Sequence, residues 1–253
     1  MKKAIIKANN LCKSFVNNGT QNHVLDKVNI EIYEGDFTII MGSSGAGKST
    51  LLYSLSCMDS ITAGEVFYKD QKISGMKERQ LAPLRAREFG FIFQQSHLVS
   101  SLTLMENVTV PGYLNTKRSG TDTKKRAEKL LSDMGVEKAM HRYPSQVSGG
   151  EAQRAAISRA IINEPGIVFA DEPTGALNKR NTIEVLNLLT KINKEGQSVV
   201  MVTHDVRAAI RATRLLYLED GKIIGEMTLP PYQDEMAKNR EAQVSAWLNS
   251  MAW

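Results

Sequence analysis

The sequence has few cysteines and no long apolar run. Only Cys12 and Cys57 occur in the 253 residues, without a CxxC pair or a histidine spacing typical of zinc sites, so a disulfide scaffold is excluded and a reducing compartment is expected. No apolar run approaches the roughly 18 residues that a membrane-spanning helix needs. Near the start, only Ala4–Ile6 is apolar, so we expect no secretory signal.

The sequence also lacks a strong excess of one charge. It carries 32 basic and 27 acidic residues, for a net charge of +5. The short basic cluster Lys124–Arg126 falls in a predicted helix and indicates a solvated helix face. Charge alone does not decide between nucleic acid, anionic lipid and a phosphorylated small molecule as the partner. With 42% hydrophobic residues and no block of like charges, the composition is typical of a globular chain with a sizeable core.

Short β-like runs alternate with helical stretches, which predicts an α/β fold around a largely parallel sheet. The β-like runs are Ala4–Lys7, Val28–Ile32, Phe37–Met41, Gly64–Tyr68, Phe89–Phe93, Ile167–Ala170, Val199–Thr203, Leu215–Leu218 and Ile223–Glu226. A block of predicted helices separates the two halves of this core: Leu104–Val110, Thr123–Met134 and Glu151–Asn163. The segment Glu219–Lys222 reads as a hairpin turn.

The tail after Leu229 begins with two prolines and then reads as one helix. Its apolar and long side chains recur at helical spacing: Met236, Arg240, Val244, Trp247, Leu248 and Met251. Such a face fits a membrane surface, a partner helix or the protein's own core. The last interpretation is favoured because most amphipathic helices pack that way and because the polar face mixes acids and bases.

A glycine-rich loop carries the first chemical signal. The pattern G-x-x-x-x-G-K-[ST] stands between the predicted strand Phe37–Met41 and the helical Leu51–Cys57, the context in which it indicates a phosphate-binding loop. Backbone amides of such a loop and the following helix N-terminus bind phosphate oxygens. The residues are Gly42, Ser43, Ser44, Gly45, Ala46, Gly47, Lys48, Ser49 and Thr50. Lys48 reaches the β- and γ-phosphates, and the Ser49 hydroxyl is placed to hold Mg²⁺.

Two acids follow the predicted buried strand Ile167–Ala170. Asp171 stands at the carboxyl end, where a parallel sheet places ligand groups, and would hold Mg²⁺ through water. Glu172 is then available as a base on the attacking water. An apolar run that ends in Asp-Glu is weak evidence alone, since acids commonly end strands, but downstream of a phosphate loop it becomes persuasive.

The segment Val147-Ser148-Gly149-Gly150-Glu151 alone would read as a helix N-cap. It lies about twenty residues before Asp171-Glu172 and resembles the signature loop of ATP-binding-cassette (ABC) ATPases, with Val for the usual Leu and Glu for the usual Gln. The order of phosphate loop, signature and acidic strand is specific to cassettes among P-loop proteins. The resemblance covers residues from about 4 to 228.

Further positions match this family. Gln94 resembles the Q-loop glutamine, which senses Mg²⁺ and couples to the permease, and His204 resembles the switch histidine that contacts the γ-phosphate. Phe15 stands where the family stacks an aromatic ring on adenine, usually Tyr; a core Phe is the competing interpretation. Asn178 replaces the usual Asp of the D-loop, which puts communication across the dimer in doubt.

The resemblance implies a fold and a division of the chain. The fold is α/β, with a P-loop NTPase (RecA-like) core, an antiparallel β subdomain and an inserted helical subdomain. The ATPase domain covers 1–228, with its core at 1–93 and 163–228 and the helical subdomain at about 94–162. Residues 229–253 form a C-terminal helical extension.

The resemblance also implies a mechanism. Two copies form a homodimer in which ATP on the phosphate loop of one copy is capped by Ser148, Gly149, Gly150 and Glu151 of the other. Lys48 and the Gly45–Thr50 amides hold the phosphates. The Mg²⁺ ligands are Ser49, Gln94 and Asp171, while Glu172 is the general base and His204 holds the γ-phosphate.

Among cassettes, the sequence looks like the branch that contains macrolide-export, lipoprotein-release and bacitracin-resistance ATPases. This implies a homodimer at the cytoplasmic face of the membrane, attached to a permease with an extracytoplasmic domain. The segment Gln95–Tyr113 would supply an apolar wall to the permease groove through Leu98, Val99, Leu102, Leu104 and Met105. The residues around Thr174–Asn178 favour antimicrobial-peptide or antibiotic export and resistance.

Other functions stay open at this point. A P-loop kinase accounts for Lys48 and Asp171 but gives no reason for Ser148-Gly149-Gly150 or His204. A cassette that works on ribosomes or nucleic acid usually has two cassettes or a long coiled-coil insertion, and neither is seen in this sequence. We therefore expect no nucleic-acid partner. Lipoprotein release and control of cell-wall hydrolysis remain, because substrate choice lies in the permease.

Overall fold

The computed structural model describes residues 2–17, 19–115 and 117–251. The last two residues of the predicted extension at 229–253 lie outside this described part. The chain divides into two compact units, which we call the first unit (Met1–Leu81 with Ile192–Trp253) and the second unit (Ala82–Lys191). The division into a catalytic core and a helical subdomain stays a prediction, because compactness groups residues by contact and not by role.

Ten strands occur in the described residues. They are β1 Ala4–Asn17, β2 Thr20–Tyr33, β3 Phe37–Met41, β4 Ala63–Tyr68, β5 Gln71–Lys72, β6 Phe89–Ile92, β7 Ile167–Asp171, β8 Ser198–Val202, β9 Arg214–Glu219 and β10 Lys222–Thr228.

Eight α-helices occur in the same residues. They are α1 Lys48–Leu55, α2 Glu78–Glu88, α3 Leu104–Gly112, α4 Gly120–Asp133, α5 Gly149–Ile161, α6 Lys179–Lys194, α7 Val206–Ala209 and α8 Ala237–Ser250. None of the described helices has the length and apolar character that crossing a bilayer requires.

The first unit contains two sheets. One is antiparallel, in the order β2-β1-β4-β5. In the other, β3 pairs in parallel with β8 on one side and β9 on the other, and β10 closes the edge as an antiparallel partner of β9. All five residues of β3 are buried, as expected for a parallel strand covered on both faces.

The second unit contains the parallel pair β6 and β7, with Phe91 opposite Phe169 and Ile92 opposite Ala170. Helix α5 contributes a buried face of small residues, and Ala155 and Ala156 are fully buried. The α/β class predicted from the alternating pattern is confirmed, with an antiparallel sheet in one unit and a run of helices in the other.

The predicted hairpin turn is confirmed. Strand β9 ends at Glu219 and β10 begins at Lys222, so Asp220 and Gly221 form a two-residue turn. Both have positive φ angles, of 44° and 72°, which is the backbone that a type I′ turn requires.

The first two predicted strands were too short. The structure extends the first from Ala4–Lys7 to Ala4–Asn17 and the second from Val28–Ile32 to Thr20–Tyr33. Lys7 and Asn10 are exposed while Ile6, Ala8 and Leu11 are buried. An antiparallel sheet with one solvated face accepts such polar residues, whereas the prediction rested on apolar runs.

Two predictions about surfaces need correction. Leu104 is fully buried because it begins α3 on the same face as the buried Val108, one turn later, so it cannot line an apolar surface. In the tail, helix α8 begins only at Ala237, after a 3₁₀ turn over Asp234–Met236, and Met236 is exposed.

Candidate active site

The phosphate loop follows β3 directly in the first unit. At Gly42, with φ +154°, a Cβ would lie 2.0 Å from the Leu218 carbonyl oxygen. No other residue fits there, because β9 passes too close to the loop backbone. The loop ends at Gly47, which caps α1 in the left-handed conformation. The predicted strand–loop–helix context of the motif is therefore present.

Lys48 is the first residue of α1 and is 9% exposed. Its ammonium donates hydrogen bonds to the carbonyl oxygens of Gly42 and Ser43, both at 2.8 Å. The helix has no acidic residue in its first turn, so its own side chains do not neutralise the partial positive charge of the N-terminus. Lysine and helix end together favour a bound anion such as a phosphate group.

Phe15 lies on β1 and is 44% exposed. The alternative interpretation as a core residue is therefore wrong. The Lys13 ammonium lies 4.7 Å from the Phe15 ring centroid and is fixed by the Asp59 carboxylate at 2.8 Å and the Ser60 carbonyl at 2.6 Å. Phe15 is thus an exposed aromatic ring beside a lysine that two hydrogen bonds hold, and an exposed ring can stack on a flat ligand.

Strand β2, which pairs with β1 through Phe15 and Asn22, runs close to the start of α1. The Val24 carbonyl oxygen would lie 3.0 Å from a Cβ on Gly47. The strand that carries Phe15 is therefore the neighbour of the strand that packs on the phosphate loop.

His204 lies two residues beyond β8 and is exposed. Because Ile40 pairs with Val202 in parallel register, the two positions beyond them, Gly42 and His204, leave the same edge of the sheet. The next residue, Asp205, caps α7 by accepting a hydrogen bond from the Arg207 amide at 2.8 Å. The first unit thus places the predicted histidine beside the start of the phosphate loop.

In the second unit, Asp171 is the last residue of β7, and Gln94 lies two residues beyond the end of β6. The parallel register, with Ile92 opposite Ala170, puts Gln94 level with Glu172 at the carboxyl edge. The Gln94 side chain also lies against Gly175, where a Cβ would be 2.8 Å from its Nε2 atom. Three predicted site residues therefore meet at one edge of this unit.

Glu172 has a left-handed backbone, with φ +42°. This conformation is costly for a residue with a side chain and is found at sites where the surrounding structure imposes it. Its carbonyl oxygen accepts a hydrogen bond from the Gly175 amide at 2.9 Å, which closes a turn directly after β7. The turn directs the chain away from the sheet immediately after the two acids.

Gln153 is a residue that the motif analysis did not assign. It is 2% exposed, and its amide donates to the Phe93 carbonyl at 2.8 Å and the Pro173 carbonyl at 2.9 Å. It therefore ties the segments that carry Gln94 and Glu172 to helix α5. The sequence signal for it is a single glutamine on the alanine-rich face of α5.

Ser148 is the N-cap of α5, so the signature segment also forms the helix N-cap that its sequence predicts. Its hydroxyl accepts from the Glu151 amide at 3.3 Å, and the Glu151 carboxylate accepts from the Ser148 amide at 2.8 Å and its hydroxyl at 2.7 Å. These bonds, led by the one from the backbone amide, lower the pKa of Glu151. Ser148 and Gly149 are exposed while Gly150 is buried.

The D-loop position Asn178 has a local structural role. Its side-chain oxygen accepts a hydrogen bond from the Asn181 amide at 3.0 Å, and its carbonyl accepts from the Thr182 amide at 2.9 Å. Asn178 therefore caps α6. Aspartate makes the same cap, so the exchange of Asp for Asn preserves the start of this helix.

The hydrogen bonds of Glu151 predict a pH-dependent contribution to stability. Because its folded-state pKa is lowered, the stabilising contribution is present above the unfolded-state pKa and is lost as the pH falls through the folded-state value. We expect Glu151→Gln to lower the thermal midpoint at pH 7 by a small amount, since Gln can still accept from the Ser148 amide and the loss is that of a negative charge near the helix N-terminus, about 0.3–1 kcal/mol. Thermal unfolding followed by circular dichroism at several pH values measures this difference.

The difference between the wild type and Glu151→Gln should shrink as the pH falls below the ordinary range of the glutamate pKa. Glu128→Gln, at an exposed position of α4, is the control for loss of one surface carboxylate. A Glu151→Gln deficit that stays constant over this pH range would show that the ionised capping carboxylate is not its source.

The sequence is similar to those of known ATP-binding proteins. A profile described as ABC transporter matches residues 25–175. The lipoprotein-releasing system ATP-binding protein LolD of Aquifex aeolicus is 44% identical over 205 residues, which are 81% of this chain and 91% of that protein. The macrolide export ATP-binding/permease protein MacB of Pasteurella multocida is 37% identical over 251 residues, 99% of this chain. The chain spans only 38% of the length of this MacB.

A solved structure gives the same result. The chain is similar to a dimeric post-hydrolysis state of the ATP-binding cassette MJ0796 bound to ADP and Pi, with a TM-score of 0.83 and 38% identity over 90% of this chain and all of that one. The predicted P-loop NTPase fold and the resemblance to the macrolide-export and lipoprotein-release branch are confirmed. The chain belongs to the ABC transporter family and is an ATP-binding-cassette ATPase.

Proposed function

We propose that this chain is the ATP-hydrolysing subunit that forms a homodimer on ATP and drives a separate membrane permease. The observation that carries the proposal is the phosphate loop, in which the buried Lys48 lies at the N-terminus of a helix that has no acidic side chain in its first turn. Dimer formation is supported by the MJ0796 structures, which are dimeric and, in one case, hold ADP and Pi.

Each predicted residue has a defined part in this proposal. Lys48 and the amides of Gly45–Thr50 bind the β- and γ-phosphates, and Phe15 stacks on the adenine ring. Ser148, Gly149, Gly150 and Glu151 of the second copy cap the same ATP. The exposure of Ser148 and Gly149 at the N-terminus of α5 leaves them accessible to a nucleotide held by the other copy, and a helix N-terminus suits its negative charge.

The residues assigned to Mg²⁺ fit that ion. Ser49 offers a hydroxyl, Gln94 an amide oxygen and Asp171 a carboxylate, and Mg²⁺ prefers such oxygen donors. Gln94 and Asp171 leave the same edge of the second unit, in register. Bound by these residues, Mg²⁺ would supply positive charge that offsets the negative charge developing on the phosphates during transfer.

Glu172 accepts the proton of the attacking water in this proposal. Its left-handed backbone and the turn to Gly175 fix the start of its side chain, which is what orientation of a base requires. His204 contacts the γ-phosphate, and its register position beside Gly42 supports this role. Gln153 positions Gln94 and Glu172 through the two carbonyls that it binds.

A surface of the second unit is proposed to dock on the permease. We define this docking surface by its exposed apolar side chains: Val99, Val110, Tyr113 and Leu114. They are exposed by between 45% and 59%, which is unusual for several large apolar residues on neighbouring segments and typical of an interaction site. Leu98, Leu102 and Met105 are partly buried beside them.

The cargo that we propose is an antimicrobial peptide or a related antibiotic, in export or resistance. The similarity to MacB, a macrolide export protein by name, supports this assignment. Lipoprotein release is the second candidate, supported by the similarity to LolD. In either case the permease carries an extracytoplasmic domain and the ATPase binds at the cytoplasmic face of the membrane.

Co-purification tests this proposal. Tagged Glu172→Gln protein is purified from detergent-solubilised membranes with ATP and Mg²⁺, and the proteins that accompany it are identified. We expect a permease with a large extracytoplasmic domain. Recovery only from the soluble fraction, together with ribosomes or nucleic acid, would refute the transport role.

A matched pair of variants localises the docking surface. Val110→Asp adds a charge to the docking surface, whereas Ile224→Asp adds the same charge at a comparably exposed position of β10. We expect Val110→Asp alone to lose the permease while it still binds ATP. Equal recovery of the permease by both variants would remove the docking surface from the proposal.

A further inference from the structure

The C-terminal extension packs on the first unit through α8. Val244 and Leu248 are fully buried, so the predicted packing against the protein's own core is confirmed. The Trp247 ring meets Tyr217 edge-on, with centroids 6.4 Å apart and planes at 88°. A Cβ on Gly225 of β10 would lie 3.1 Å from the Trp247 ring. One end of α8 is therefore fixed on β9 and β10.

This contact lies next to the phosphate loop. Tyr217 pairs with Met41 in the parallel register of β9 and β3, and Met41 immediately precedes Gly42. The carbonyl of the next β9 residue, Leu218, is the atom that leaves no room for a side chain at Gly42. The extension thus supports the strand that borders the start of the loop.

The other contact of α8 is made by Arg240, which is 3% exposed. Its guanidinium donates hydrogen bonds to the Pro230 carbonyl at 2.7 Å and to the Ala212 carbonyl. It also lies 5.8 Å from the Tyr232 ring, on which Arg211 stacks at 4.8 Å. Burial lowers the pKa of Arg240, and a charge buried at this cost remains only where its acceptors hold it in place.

The Ala212 carbonyl stands at the far end of a short segment that begins with His204 and is held by several backbone hydrogen bonds. Asp205 caps α7, the Ala212 amide bonds to the Ala209 carbonyl at 3.1 Å, and the Thr213 amide bonds to the Phe37 carbonyl at 2.9 Å. Helix α7 also contacts α8. These bonds would pass a shift of the Ala212 end along the segment toward His204.

We propose that Arg240 is a positioning residue for His204: α8 holds the segment 205–212 against the strands that carry the phosphate loop, through Arg240 at one end and Trp247 at the other. This inference rests on the proposed role of His204 at the γ-phosphate. It gives the C-terminal extension a part in ATP turnover that does not involve contact with the nucleotide.

The test compares Arg240→Met with Lys238→Met, which removes the same charge from an exposed position of α8. We expect Arg240→Met to lower kcat for ATP about 2- to 30-fold, as residues that act through a packed network do, with KM unchanged. Lys238→Met should leave both constants unchanged. Arg240→Lys, which keeps the charge but reaches fewer carbonyls, should lie between the wild type and Arg240→Met.

Imidazole resonances give a readout that is independent of turnover. The protein has four histidines, and loss of one signal in His204→Gln assigns that residue. Arg240→Met should shift or broaden the His204 signal and leave those of His23, His97 and His141 in place. If Arg240→Met does not fold, Arg240→Lys is measured in its place by the same criteria.

Two results would overturn the inference. In the first, the folded Arg240 variant has the kcat and the His204 signal of Lys238→Met. In the second, all four histidine signals move and KM rises as kcat falls, which is general destabilisation. The proposed role of His204 is tested separately by the ATP turnover of His204→Gln. Turnover at the wild-type rate would refute that role.

Discussion

Glu172→Gln is expected to lower steady-state ATP turnover by about two to four orders of magnitude, the usual contribution of a positioned general base. The amide has the shape of the carboxylate but cannot accept the proton of the attacking water. The backbone turn from Glu172 to Gly175 involves no side-chain atom and is retained. ATP binding, measured by calorimetry with Mg²⁺, should therefore be preserved.

The control for this variant is Glu184→Gln, which removes another carboxylate of the second unit. Glu184 pairs with Arg154 at 2.8 Å and with Arg180 at 3.1 Å. Partly exposed ion pairs of this kind contribute little to the stability of the fold. This variant should hydrolyse ATP at nearly the wild-type rate. Near wild-type turnover by Glu172→Gln itself would remove Glu172 from the role of base.

Lys48→Ala is expected to weaken ATP binding by about 30-fold or more, since loss of one partner from a buried, hydrogen-bonded charge pair costs about 2–5 kcal/mol. The variant also removes the donor that the Gly42 and Ser43 carbonyls share. Titration with ATP and Mg²⁺ measures the affinity, and a thermal melt shows whether the loop change spreads to the fold.

Lys72→Ala serves as the control, because Lys72 is an exposed residue of the same unit that pairs with Glu65 in the antiparallel sheet. It should bind ATP with wild-type affinity. Unchanged ATP affinity in Lys48→Ala would contradict the assignment of Lys48 to the phosphates.

Much of the site could be predicted because its residues stand at the ends of strands. Strands β3 and β7 consist mainly of buried apolar residues, so the sequence predicted their ends to within one residue. Parallel strands bring their carboxyl ends to one edge of a sheet. The pattern and the register therefore place Gly42 beside His204, and Gln94 beside Glu172. The spacing of the sequence motifs predicted the other residues of the site.

The positioning residues could not be predicted in the same way. Gln153 binds carbonyls 60 and 20 positions away, and Arg240 binds one 28 positions away. Helical spacing put Arg240 on the inward face of the tail, but periodicity does not identify a partner. A backbone carbonyl has no sequence signature, so contacts of this kind emerge only when the chain has folded.

The long hairpin of β1 and β2 was missed for a related reason. Apolar runs identify strands covered on both faces, whereas an antiparallel strand with a wet face reads as mixed polarity. Irregular register between Ala8 and Leu11, where Asn10 has a positive φ, interrupts the alternation further. The same irregular strand carries Phe15, so its exposure could not be inferred from the sequence.

ATP-dependent dimer formation is the central claim, and the solution mass of Glu172→Gln tests it most directly. The monomer mass is 28.0 kDa, and light scattering should give twice this value with ATP and Mg²⁺ but not with ADP. Ser148→Asp in this background keeps an N-cap residue but repels phosphate, so it should stay monomeric. Ser119→Asp, the same change at the N-cap of α4, should still dimerise. A Glu172→Gln protein that remains a monomer with ATP, or a Ser148→Asp protein that dimerises as well as Ser119→Asp, would contradict the account.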